Sequence, residues 1–225
     1  MQAIRAEEMK GASTGNALAP ALPPEDQARA DFYTLISHLF FTAPDADLLA
    51  ALAEADSLAS QQADNPLDAA WEKLILVADI MDADAVQDEF NELFISAGTP
   101  KINPYASLYL AGFLNEKPLA ELRADLTRLG LARISGVHEM EDHLAALCEA
   151  MRLQIAGAAG GTSRGMQEQK LFFEKYLASW VERCFDDIRA EAATNFYGKA
   201  ADFAQAFFAI EAQAFELEIS GSSHL

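Results

Sequence analysis

Asp142 and His143, with Glu139 close before them, are the residues whose types could do acid–base work, since histidine titrates near neutrality and a carboxylate can orient its proton. Neighbours on a helix diverge by about 100°, so on one helix this pair would not face each other, and a structural hydrogen-bonding role is the stronger reading. His138-Glu139 followed by His143 looks at first like a zinc motif. That motif needs histidines four apart on one helical face; a spacing of five turns them some 140° apart, and no third ligand is evident. The glycine-rich Gly157–Gly165 stretch lacks the GxxxxGK[ST] pattern and follows no strand, so it reads as a flexible loop rather than a phosphate cradle. Cys148 and Cys184 form no CxxC pair and sit at apolar-looking helical positions, as buried small hydrophobes do. No nucleophile elbow or dinucleotide fingerprint is present. No cofactor and no metal are expected.

Two other local patterns point to recognition. In Glu89-Phe90-Asn91-Glu92-Leu93-Phe94, Phe90 and the Leu93-Phe94 pair fall on one helix side. In Pro104-Tyr105-Ala106-Ser107-Leu108-Tyr109, two tyrosines lie four apart after a proline-bounded loop. Tyrosine joins an apolar ring to a polar tip, which suits a binding surface; composition alone favours core packing with the hydroxyls at the rim.

The elements that must position these residues are helices. A period of 3.6 dominates, no alternating Val, Ile or Thr run competes, and the fold class expected is all-α: about nine or ten helices in two unequal helical halves, with no sheet. Residues 1–24 read as a mobile tail, 25–135 as an N-terminal helical part and 136–225 as a C-terminal one. A helix beginning near Glu25 carries Phe32, Leu35, Ile36, Leu39 and Phe40 on one face. Asp45 caps a short helix to about Ala55, and Asn65-Pro66 opens the next. Asp84 with Gln87 matches a capping pattern for the helix holding Phe90. Residues 96–104 are a turn-rich loop; Asn115 and Pro118 start a helix that stops at Gly130, and 131–138 are a connector. Met140, Leu144, Leu147, Met151 and Ile155 form an amphipathic seam on a helix from about Glu139. The last third is helical: about 167–178, a helix opened by a Ser179…Glu182 capping box, and a long helix from near Asn195 to about Ile219.

In 225 residues, hydrophobic side chains make up 51%, enough for a core, and 16 basic against 35 acidic residues leave a net charge of −19. That excess repels phosphate backbones and anionic lipid, so nucleic acid and membrane surfaces are poor partners. The N-terminus lacks a secretory apolar core, and no 18-residue apolar run exists, so a cytoplasmic location without membrane insertion is expected.

The aromatic-x-x-Leu-Phe helix of Phe90 to Phe94, the Pro-aromatic-x-Ser-x-Tyr stretch of Pro104 to Tyr109 and the acidic-Asp-His motif of Glu139 to His143, in this order, resemble the signature of the TorD/DmsD family of molybdoenzyme maturation chaperones. Asp31-Phe32-Tyr33, Trp180 and Asn195-Phe196-Tyr197 extend the resemblance over about residues 28–215. Met140 stands where the family often has proline, and Ala97-Gly98-Thr99-Pro100 where it has Gly-Pro. The resemblance implies an all-helical globule hinged at about residues 131–139. Its partners would be a cofactor-free molybdoenzyme catalytic subunit and the twin-arginine signal peptide of that subunit. Peptide binding carries over to Phe90, Leu93, Phe94, Pro104, Tyr105, Ser107, Tyr109, Asp142 and His143, and Glu139 joins them as an arginine seat. The protein would be no enzyme, and a monomer or domain-swapped dimer. Three alternatives stand beside this: a chaperone for the mature subunit of a non-exported enzyme such as a formate dehydrogenase, a small helical enzyme using Asp142 and His143, and a guanine-nucleotide switch. Burying one Leu or Phe yields about 1.5–3 kcal/mol, an exposed Arg–carboxylate pair about 0–1, so affinity is expected from apolar contacts and steering from the charge.

Overall fold

The computed structural model describes residues 4–6, 22–58, 64–95, 99–114, 117–134, 139–157, 163–192 and 194–222. Among these lie ten α-helices: α1 (Pro24–Phe41), α2 (Ala46–Ala53), α3 (Pro66–Ile80), α4 (Ala83–Phe90), α5 (Ala106–Ala111), α6 (Lys117–Arg128), α7 (Leu144–Ala156), α8 (Met166–Phe173), α9 (Val181–Ala190) and α10 (Phe196–Ser222). Two π-helical turns, Asn91–Ile95 and Glu174–Ala178, continue α4 and α8. The molecule is thus essentially all-α, with one small exception to the sheet-free expectation. Within the segment read as a tail, β1 (Ile4–Ala6) pairs antiparallel with β2 (Leu131–Arg133), inside the segment read as a connector. Ile4 is fully buried, and its loss from water holds the strand in place.

Local chemistry explains most helix starts. Asp45 accepts the Leu48 amide at 2.9 Å and Asn65 the Leu67 amide at 3.0 Å, each satisfying a donor that the first turn leaves unpaired. The cap of α4 is Asp82 rather than Asp84, taking the Ala85 amide at 2.8 Å; Asp84 falls in the first turn, where its charge complements the helix dipole. α9 begins at Val181 after Trp180, whose own side chain makes no cap hydrogen bond. α7 starts at Leu144, so Glu139 and Met140 precede the helix on which they are expected. Asn115, His138 and most of the glycine-rich loop lie outside the described residues.

The chain divides into two compact units, each assembled from two stretches: Met1–Ser37 with Tyr105–Leu177, and His38–Pro104 with Ala178–Leu225. In the first, α7 is the centre. Leu144, Leu147, Met151 and Ile155 are buried, and so are Cys148 and Ala150 on its other sides. β1 and α8 pack on α7, while β2 and α5 pack on α6. Arg29 ties α1 to α8, donating to Gln169 Oε1 at 2.9 Å. In the second unit α10 packs against α3, α4 and α9, and α2 against α3. Trp71 stacks on Phe203 at 5.3 Å and donates its indole N–H to the Asp56 carbonyl at 2.9 Å.

Candidate functional site

In the first unit, the stretch Glu139–His143 is pinned residue by residue to α5 and α6. α5 opens after Tyr105, which has no side-chain acceptor for the first-turn amides. Asp142 supplies both from across the fold: its carbonyl accepts the Ala106 N–H and its Oδ2 the Ser107 N–H, each at 2.9 Å. Glu141 takes the Arg123 guanidinium through two bonds of 3.0 Å. Burial opposes the Glu141 charge, but the Arg123 hydrogen bond and charge outweigh it and hold the carboxyl below its usual range.

His143 closes the junction. It forms a β-bridge with Tyr105, and their rings meet edge to face at 4.9 Å. Its Nδ1 accepts the Ala145 N–H at 3.1 Å, making histidine the N-cap of α7. An accepting Nδ1 must be unprotonated. Burial pushes the His143 pKa down to about 4, against the pull of the Glu139 charge. The Tyr105 hydroxyl donates to Glu139 Oε2, and burial together with that carboxylate pushes the phenol well up, so it stays a donor. Asp142, His143 and Ser107 are therefore buried structural groups, whereas Tyr105, Tyr109 and Glu139 are half-buried and keep accessible surface.

The remaining site candidates lie in the second unit. Phe90 and Leu93 are buried, with Leu93 at 0% exposure, and Pro104 is buried too. Phe94 is half-buried. It completes an aromatic cluster, 5.1 Å from Phe90, 5.1 Å from Tyr197 and 6.1 Å from Phe40. The Leu93 carbonyl accepts the Ile102 N–H at 2.9 Å, fastening the following loop. The organiser of this cluster is Glu89, which sequence reasoning quoted within its motif without giving it a role. Its carboxylate accepts the amides of Asn195, Phe196 and Tyr197 at 3.1, 3.1 and 2.7 Å, capping α10 from α4. The available signal was a glutamate beside Phe90 on a helix face that must be buried, where its carboxylate needs donors.

The buried His143 is neutral near pH 7 with its Nδ1 already engaged; Cys148 and Cys184 are both buried, and burial pushes the Cys148 thiol well up.

The family model described as nitrate reductase delta subunit matches residues 60–186. The chaperone protein TorD of Vibrio cholerae serotype O1 is 29% identical over 207 residues, covering 81% of this chain and 89% of that protein. TorD of Shewanella loihica is 27% identical over 205 residues, covering 85% and 94%. A solved structure of a candidate redox enzyme maturation protein from Archaeoglobus fulgidus superimposes with a TM-score of 0.52 over 87% of this chain and 98% of its own; at 18% identity it speaks for the fold.

Proposed function

The chain belongs to the TorD/DmsD family, by the nitrate reductase delta-subunit model that matches more than half of it, and from that premise we propose that it is a maturation chaperone, not an enzyme, which binds the twin-arginine signal peptide of a cofactor-free molybdoenzyme catalytic subunit in the cytoplasm. Binding delays export until the cofactor is in place. The observations that carry this reading are the half-buried Tyr105, Tyr109 and Glu139 of the first unit, where Tyr105 is bonded to Glu139 and packed on buried His143, and, in the second unit, half-buried Phe94 on buried Tyr197. Aromatic rings with little freedom left lose little entropy when a partner arrives. Of the ten residues assigned to peptide binding, these four are the contact groups. Within the second unit Phe90, Leu93 and Pro104 are the frame for Phe94, and within the first Ser107, Asp142 and His143 are the frame for the other three. No described helix is long and apolar enough to cross a membrane.

Calorimetric titration with the synthetic signal peptide of a molybdoenzyme tests this. Expected is micromolar or tighter binding that persists at moderate salt and drops at least tenfold in Phe94→Ala or Tyr105→Ala, with circular dichroism unchanged. A folded protein that binds no such peptide would overturn it. Retained binding to a client whose leader has been exchanged would shift recognition to the mature body, the reading suited to a non-exported enzyme.

A further inference from the structure

The junction of Tyr105 with Glu139 grades into an apolar surface along α5. Beyond half-buried Tyr109, the side chains of Leu110, Phe113 and Leu114 are 42%, 70% and 40% exposed. Single exposed hydrophobes are ordinary; three large ones within five residues, directly following two half-buried tyrosines in the chain, are not. α5 has six residues and so rises about 9 Å. Gly112 ends it at φ +82°, its N–H on the Leu108 carbonyl at 2.8 Å. No atom lies near where its Cβ would be, so the left-handed backbone, not crowding, calls for glycine. The chain that follows carries Phe113, its most exposed aromatic side chain among the described residues.

The two ends of this track differ in charge chemistry. At the α5 start stands the Glu139 carboxylate, half-buried on the Tyr105 hydroxyl. At the other end, Leu110, Phe113 and Leu114 present no charged group. A cation is therefore favoured at the first end and an apolar side chain at the second. Arg133 acts on Tyr105 as well, which weakens the attraction at the Glu139 end; the apolar end carries most of the affinity.

We propose that α5 and the turn after it form a polarity-graded track that takes a client segment in one orientation, its cationic end at Glu139 and Tyr105 and its apolar stretch over Tyr109, Leu110, Phe113 and Leu114. This rests on the signal-peptide reading above and adds where each part of the ligand sits. The probe is a synthetic peptide with two adjacent arginines followed by a leucine- and alanine-rich stretch. A photoreactive phenylalanine analogue in the apolar stretch should cross-link to residues 109–114, and one beside the arginines to residues 139–143. Leu110→Ser with Phe113→Ser alters only exposed positions and should weaken binding at least tenfold with circular dichroism unchanged. Glu139→Gln should mainly flatten the salt dependence. Reversed cross-links, or a double variant that binds like the wild type, overturn the orientation while leaving the chaperone reading intact. A wild-type protein that does not bind the peptide overturns both.

Discussion

Asp142 and His143 work as caps, and their substitutions should behave accordingly. Asp142→Asn keeps an oxygen for the Ser107 amide, whereas Asp142→Ala leaves a buried N–H unpaired and should cost about 2 kcal/mol more, read from urea midpoints. Ser107 Oγ is buried with no hydrogen-bond partner among the described residues, so Ser107→Ala should be neutral or stabilising by up to about 1 kcal/mol. His143 adds a pH dependence. Its folded pKa, about 4, lies below the unfolded value of 6.5, so between these the unfolded chain holds more protons. Its contribution is fully present above about pH 6.5 and is lost as pH falls to about 4, over a range worth at most about 3 kcal/mol. His143→Asn retains an acceptor for the Ala145 amide without a titration. Subtracting its stability profile from that of the wild type cancels Glu141 and the other carboxylates; a flat difference over that window would refute the assignment. The sequence shows that these two residues matter together but not how, because the amides Asp142 satisfies belong to a helix 35 residues away in sequence.

At the scale of the element, two caps supplied by the adjoining residue were legible, that of α4 was read two residues late, and caps supplied from elsewhere were not legible. Asp45 and Asn65 stand where local chemistry puts them. The start of α7 was misplaced by about five residues because Asp142 faces α5, which leaves His143 to cap α7. Glu89 is the larger case. Three α10 amides converge on a buried carboxylate, where the helix dipole adds to the attraction. Glu89→Gln turns one accepting oxygen into a donor that faces donors, and should cost about 3 kcal/mol. Hydrogen exchange should speed first at Asn195, Phe196 and Tyr197. A loss spread evenly over the second unit would show that the carboxylate is not a local cap. Leu93→Ala, at a fully buried position, should cost about 2–5 kcal/mol, so it reports on this unit's packing before it reports on any ligand.

At the scale of the whole molecule, a helical period says which face is buried but not which stretch buries it, so the pairing of distant segments into two units could not be read from the sequence. Once known, that pairing divides the charge. The first unit has 14 acidic and 11 basic residues, a net −3, and the second 21 and 5, a net −16. Like charges crowded on one compact unit repel, and folding brings them closer than the unfolded chain does. Raising ionic strength from about 0.01 M to about 0.15 M shortens the screening length from about 30 Å to about 8 Å. Stability should therefore rise with salt, by roughly 1 kcal/mol or about 3 °C in the thermal midpoint. The gain should fall on the second unit, where amide exchange in α3 and α9 should slow more than in α6 and α7. An uncharged osmolyte at equal osmolality separates screening from general exclusion effects. Equal slowing in both units, or a midpoint that falls with salt, would mean that pairs such as Lys101 with Glu92 and Glu191 outweigh the repulsion.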